Sequence, residues 1–369
     1  MPIGIYVHIP FCRAKCNYCD FNSAAAPDDK INDYVKALCS EISRFDDGLT
    51  ADSVFFGGGT PTVLKPSVLA DILDTIRCKF KLTTDCEITA ECNPATADEN
   101  ALKEIRKAGF NRLSVGMQSS CDDELKILGR IHSASDCEKC IFDAKNAGFE
   151  NVSVDLMYGI PNQDEKSFLK SLKTATAYKP KHISCYALSI EKGTPFANMK
   201  LNIADDDTVA RMYETAVEYL KLNGYARYEI SNFALNGMES RHNLKYWMCD
   251  DYIGFGAGAH SCMGSRRFSN IRNTDLYISA VNSKKSLLET ETVLDTADRM
   301  SEFVFLGLRT REGVRLDEFK KRFNRDATDV FEKETAKNIT RGTLEIVENR
   351  LRIPDKYVFV SNMIMSDFV

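Results

Sequence analysis

Three cysteines near the start of the chain, in Cys12-Arg-Ala-Lys-Cys16-Asn-Tyr-Cys19, have the type and spacing that point most directly to chemistry. Thiolates are soft ligands, and three within one short loop can converge on a single centre. No fourth Cys or His follows at tight spacing, since position 21 is Phe and position 22 is Asn. A structural zinc site is closed by four protein ligands, and His8 is the only near fourth ligand. The trio therefore suits an iron–sulfur cluster better than zinc. A cubane held by three cysteines leaves one iron open to a small molecule, as catalytic metals keep an open position. The chain has 13 cysteines, an odd number without a secretory signal, which argues against a disulfide framework. Cys39, Cys78, Cys86, Cys92, Cys185 and Cys249 stand singly in apolar runs and read as small buried hydrophobes. Cys137-Glu-Lys-Cys140 falls inside a predicted helix and reads as two thiols one turn apart. A thioredoxin-like pair would instead open a helix after a strand.

The loop must be positioned by regular elements, and the patterning predicts them. Strand-length apolar runs at 3–9, 53–56, 86–92, 112–117, 151–157 and 182–188 alternate with helical patterns at 30–45, 66–80, 98–108, 134–147 and 164–177. That βαβα rhythm predicts a parallel sheet, either an open barrel or a doubly wound sheet, with ligands at the C-terminal ends of the strands. Polar residues fall at such ends. Gly57-Gly58-Gly59-Thr60-Pro61 closes the second strand, where glycines let backbone approach a ligand, and Glu91, Gln118 and Asp155 follow on the third, fourth and fifth. Segment 201–296 contains helix 205–223, SRHNLKYW and GFGAGAHS, and is expected to cover the sheet. From 297, helices at 297–309, 315–323 and 325–339 precede a hairpin turning at Glu348-Asn349, as in a winged-helix-like module.

The 369 residues carry 48 Lys and Arg against 53 Asp and Glu, a net charge of -5, which leaves no general field for nucleic acid. The basic residues Lys320, Lys321, Arg322 and Arg325 alternate with acids, so the C-terminal module is not read as a nucleic-acid binder. No run of roughly 18 uncharged apolar residues offers a membrane span, and the expected location is cytoplasmic.

YVHIPFCRAKCNYCDF, followed by FFGGGTPT, HNLKYW and GFGAGAHS, resembles the radical S-adenosylmethionine superfamily. Within it the chain is similar to the group of oxygen-independent coproporphyrinogen III oxidases and their HemW relatives, described as haem chaperones. The resemblance implies a partial (β/α)6 TIM-like barrel over 1–200 and a HemN-type module over 297–369. It implies a [4Fe-4S] cluster on Cys12, Cys16 and Cys19 and S-adenosylmethionine held by Gly58, Gly59, Thr60, Glu91, Gln118, Arg130 and Asp155, with Tyr6 and Tyr18 beside the cluster. Reduction of that cluster, by a donor such as flavodoxin or ferredoxin, would cleave the sulfonium to methionine and a 5′-deoxyadenosyl radical.

The resemblance also weighs two activities. The oxidases carry a further cysteine two positions after the third cluster cysteine and an N-terminal extension, whereas this chain has Phe21 and begins its first strand at residue 3. A haem carrier that transfers haem to an acceptor protein is therefore expected, with oxidative decarboxylation of coproporphyrinogen III as the alternative. In the HNxxYW motif, His242 is the expected axial haem ligand. Tyr246 and Trp247 are expected to stack on a porphyrin, and Arg241 or Lys245 to pair with a propionate. His260 is its rival and, with Ala187, is expected to line a second-ligand or substrate cavity. His132 and His182 are read as structural or surface residues.

Overall fold

The computed structural model describes residues 1–45 and 48–369. Six strands, β1 (Ile3–Ile9), β2 (Thr50–Gly58), β3 (Lys81–Cys92), β4 (Arg112–Gln118), β5 (Asn151–Tyr158) and β6 (His182–Ala187), pair in parallel in chain order. Helices Asp28–Arg44, Pro66–Lys79, Glu99–Ala108, Ala134–Asn146 and Glu165–Ala177 connect them. Local chemistry sets their ends. Asp98 and Asp164 each accept a backbone N–H from the first turn, Ser133 and Asp136 form a reciprocal capping box, and Gly109 ends its helix at φ 113°.

Strands buried on both faces of a parallel sheet usually read as continuous apolar runs. These alternate instead. Ile5, Val54, Ile88, Val115, Val154 and Ile183 are buried on the outward, helix-covered face. The opposite face carries Tyr6, Phe55, Glu91, Ser114, Asp155 and Ser184, and all six bound one cavity. A sheet whose six strands share one lumen is curled, which decides between the two predicted architectures in favour of the partial barrel.

The segment 201–296, expected to cover the sheet, does more than cover it. The segment extends both of its edges. β7 (Ala226–Arg227) and β8 (Asn232–Ala234) add antiparallel beyond β6, while β9 (Tyr252–Phe255) pairs in parallel with β1 and is followed by antiparallel β10 (His260–Met263), β11 (Arg266–Asn270) and β12 (Leu288–Val293). An unclosed barrel has two edges of unpaired N–H and C=O groups, and these strands satisfy them. The segment also contributes Tyr213, Phe233, Ile253 and Tyr277 to the barrel's own hydrophobic core.

Helix Arg241–Trp247, capped by Ser240, closes the N-terminal floor of the barrel. Lys245 pairs with Asp52 at 2.8 Å and donates to the Pro2 carbonyl, while the backbone N–H groups of Arg241 and His242 donate to Glu87.

The C-terminal module has a separate core around Phe303, Phe319, Leu351 and Phe368. Its order is helix Thr296–Gly307, β13 (Val314–Arg315), helix Leu316–Phe323, helices Ala327–Val330 and Glu332–Thr340, then β14 (Glu345–Val347) and β15 (Arg350–Arg352). The single helix expected over 325–339 is thus two, broken at Phe331. Glu348 and Asn349 both take positive φ, the tight hairpin geometry expected there. Arg267 reaches both carboxylate oxygens of Glu302, and Arg322 reaches Asp250 at 3.0 Å, fastening the module to the barrel. Among the described residues no helix is long and apolar enough to cross a membrane.

A Cβ on Gly4 would stand 2.9 Å from Lys245 Cδ and 3.2 Å from the His242 ring. Gly4→Val is therefore expected to lift the floor helix and to cost about 1–3 kcal/mol by overpacking. The check is the urea unfolding midpoint, and an unchanged midpoint would remove the floor helix from the list of tightly packed elements.

Candidate cluster and cofactor site

The cysteine loop leaves β1 at Pro10 and is held at both ends. Phe11 bridges Ala24, Cys12 N–H donates to the Ala24 carbonyl, and Ala24 N–H donates to the Pro10 carbonyl. Asn17 anchors the middle by donating from its backbone and side chain to the carbonyls of Leu128 and Ile127. Cys12, Cys16 and Cys19 are free, half-buried thiols on the wall of the lumen, a cavity of about 510 Å³. The Thr60 hydroxyl donates to Cys12 Sγ at 3.5 Å, and Arg130 Nη1 donates to Cys16 Sγ at 3.6 Å. These two donors fix the positions of the sulfurs on the lumen wall. Among the described residues, no three His, Cys, Asp or Glu side chains converge tightly enough for a single metal ion.

Beside the cysteine loop, Gly58 has φ 101°, and a Cβ there would lie 2.3 Å from the His8 ring. A Cβ on Gly59 would lie 2.6 Å from the Phe11 carbonyl oxygen. Both positions therefore accept only glycine, and the turn is tied to the cysteine loop by Gly59 N–H donating to the Ile9 carbonyl and Thr60 N–H to the Phe11 carbonyl. Gly58 N–H donates to Glu91 Oε2 at 3.1 Å. Asp155 accepts from the hydroxyls of Ser184 at 2.7 Å and Ser114 at 3.0 Å. Gln118, at φ 65° after an irregularity in the β4–β5 pairing, turns into the same space. Arg130 donates to the Gly116 carbonyl at 2.8 Å, and its Nε is buried without a partner. Tyr6 and Tyr18 line the wall. Every residue expected to surround cluster and sulfonium faces this one lumen.

Residues that the sequence reading did not single out complete the wall. Arg112 is 2% exposed, and its Nε has no partner. Ser114, Ser184 and Tyr186 also face the lumen, and His182, which the sequence reads as structural or surface, is buried in its wall. His182 bonds to the hydroxyls of Ser153 and Tyr228, each at 2.8 Å. The two-residue alternation of RLSVGMQ, NVSVDLM and HISCYA was the signal that marks them.

The haem expectations on HNLKYW need correction. His242 is 1% exposed, with Nδ1 3.1 Å from the Ser53 hydroxyl and Nε2 2.8 Å from the Tyr246 hydroxyl. Burial pushes its pKa down to about 3, so the ring is neutral, yet neither nitrogen is free for iron. Arg241 lies outside on Asp85 at 2.8 Å, and Lys245 is committed to Asp52. Trp247 faces the C-terminal module, with the Arg309 guanidinium 4.6 Å from its ring. One turn of helix presents 242, 243 and 246 to the lumen and 241 and 247 elsewhere. Ala187 ends β6 exposed and bounds neither the lumen nor the neighbouring cavity, so it does not share a cavity with His260. His260 lines that second cavity, of about 550 Å³. Cys137 and Cys140 are buried in their helix, with Cys140 Sγ 3.8 Å from Cys92 Sγ behind the lumen wall.

Glu91 is half-buried on the wall that the two cavities share. Desolvation, then the Asp155 charge, pushes its carboxyl up to about 8, and burial raises Asp155 as well. In the unfolded chain Glu91 ionises near 4.3. The folded, ligand-free protein therefore keeps a proton that the unfolded chain has lost. Its stability contribution is intact below the unfolded value and disappears as pH rises through about 8. Glu91→Gln is expected to flatten this part of the pH dependence of the urea midpoint between about pH 5 and pH 9. Identical slopes in the two proteins would contradict the assignment.

Comparison with known proteins agrees with this geometry. A family model for the Radical SAM superfamily matches residues 6–175, and one for the HemN C-terminal domain matches 294–359. Among solved structures, coproporphyrinogen III oxidase (HemN) from Escherichia coli has the same fold, with a TM-score of 0.88 over 100% of this chain and 90% of that one, at 22% identity. The heme chaperone HemW of Bacillus subtilis is 34% identical over 99% of this chain and 98% of its own length. The heme chaperone HemW of Escherichia coli is 34% identical over 86% and 85%. With such likeness along the whole chain, and the cysteine loop, glycine turn and polar lumen in place, the protein belongs to the HemW family of radical S-adenosylmethionine proteins.

Proposed function

We propose that this protein carries haem to an acceptor protein, and that the lumen serves that task with a [4Fe-4S] cluster on Cys12, Cys16 and Cys19 and S-adenosylmethionine beside it. The observation that supports the carrier reading above all is the end-to-end similarity to proteins named heme chaperone HemW. The fold shared with HemN at 22% identity speaks to architecture alone. Phe21, at the mouth of the lumen, stands where the sequence resemblance places an additional cysteine in the oxidases.

Each lumen residue has a task that its chemistry suits. The Thr60 hydroxyl and the Arg130 guanidinium hold thiolates by donated hydrogen bonds, and Arg130 also offsets the negative charge that collects on the sulfurs. The glycine turn would let the amino end of the ligand approach the backbone with no Cβ in the way, and Gln118 and Arg130 suit its carboxylate. Glu91 and Asp155, on the lumen wall, would suit the cationic, ribose-bearing part. A positive sulfonium would draw the Glu91 proton off and favour the carboxylate. When bound and reduced, by an outside donor such as flavodoxin or ferredoxin, the cluster supplies one electron to the sulfonium. Tyr6, Phe55 and Tyr246 wall the lumen and limit access of water to it.

The test uses anaerobically reconstituted protein, S-adenosylmethionine, a reductant and coproporphyrinogen III, with chromatography for protoporphyrinogen. The expected outcome is no product above a Cys19→Ala control, together with saturable haemin binding and passage of that haem to an apo-acceptor. Turnover above the control would make the protein an oxidase. Replacing Cys12, Cys16 and Cys19 together by Ala is expected to abolish bound iron and sulfide while circular dichroism is preserved. Retained iron and sulfide would reject these three ligands.

A further inference from the structure

We infer that the second cavity is where an iron porphyrin docks, with His260 as the ligand to iron and Arg272 as the partner of a propionate. The inference rests on the haem-carrier reading and names its site.

The chain has five histidines. Four are buried and engaged: His8 between the Tyr6 hydroxyl and the Asn22 carbonyl, His132 on the Met117 carbonyl, His182 between two hydroxyls, and His242 between two more. His260 is the exception. It is exposed on β10, and among the described residues its ring makes no hydrogen bond or ion pair. A neutral imidazole with a free nitrogen is a good axial ligand, and here it opens onto a cavity of about 550 Å³, within the size range of ligand and cofactor sites.

The rest of the cavity matches the ligand. Phe21 is 63% exposed on its wall, although large aromatic rings are ordinarily covered, and Tyr246 and Tyr252 stand on the same wall. Arg272 lines the rim and has no carboxylate within salt-bridge distance among the described residues; its guanidinium reaches only the Asp20 carbonyl, at 3.4 Å. The acids present are Asp20, Glu91 and Glu289, of which Glu289 already accepts the Arg272 backbone N–H and Glu91 accepts from Gly58. A free guanidinium in this setting selects an anionic group on the ligand.

The two cavities share Tyr6, Phe21, Gly58, Glu91 and Tyr246. A porphyrin on His260 would therefore lie one wall away from the cluster chamber. This position suits a carrier whose cargo responds to the state of the cluster.

The experiment titrates the reconstituted full-length protein with haemin and reads affinity and the difference Soret spectrum. His260→Ala is expected to weaken binding by about tenfold or more and to lose the imidazole-ligated spectrum, which added free imidazole restores. His242→Ala is expected to keep that spectrum wherever it keeps the cluster and the circular dichroism of the fold. Arg272→Ala is expected to weaken haemin but not its dimethyl ester. If wild-type protein binds haemin and His260→Ala changes neither affinity nor spectrum, the site is wrong while the carrier reading stands. A tyrosinate spectrum in both proteins would likewise move the ligand to Tyr246 or Tyr252 and overturn the assignment. No saturable binding by the wild type would remove both readings.

Discussion

The barrel interior is polar, and the rest of the structure follows from enclosing it. Arg112, Glu91, Asp155 and a set of serine hydroxyls project from strands that are apolar on the other side. A flat sheet would have pressed these groups against a helical layer without partners, at a cost of several kcal/mol for each charge. Curling the sheet gathers them around a lumen where they satisfy one another and retain capacity for a charged ligand. Asp155 on its serine hydroxyls and Glu91 on Gly58 show the first function. The unpartnered Nε atoms of Arg112 and Arg130 leave room for the second.

Six strands curl without closing, so two edges and a floor had to be supplied from later in the chain. The edges take antiparallel strands beyond β6 and the run from β9 to β12 beyond β1. The floor takes helix Arg241–Trp247, and this use explains why the most chemically suggestive motif of that region is mostly structural. His242 bridges Ser53 and Tyr246, and Lys245 is buried against Asp52. Trp247 packs toward the C-terminal module, which Arg267 and Arg322 clamp in place. Floor, edge and module are thus one connected support for the lumen.

That support also shapes the mouth. The cysteine loop hangs between Pro10 and Ala24, close to the glycine turn that ends β2. β10 and β11, added at the β1 edge, place His260 and Asn270 beside that loop and create a second cavity sharing a wall with the first. The lumen and the second cavity lie next to each other because the edge strands pair onto the strand that launches the cysteine loop.

The sequence alone determined what depends on neighbours in the chain. The three-cysteine loop, the glycine turn, the parallel βαβ rhythm and the Glu348-Asn349 hairpin were legible because ligand spacing, turn chemistry and periodicity are local properties. The placement of Glu91 and Gln118 near strand ends and of Asp155 within the fifth strand was legible for the same reason. The tertiary structure alone decided which face each side chain shows and what meets it there. The alternation within the strands was visible but did not say that its polar half would converge, since that requires the sheet to curl. His242 and His260 look equally capable as isolated residues. Only packing spends the first on Ser53 and Tyr246 and leaves the second facing open space, because the availability of a nitrogen is set by residues distant in sequence.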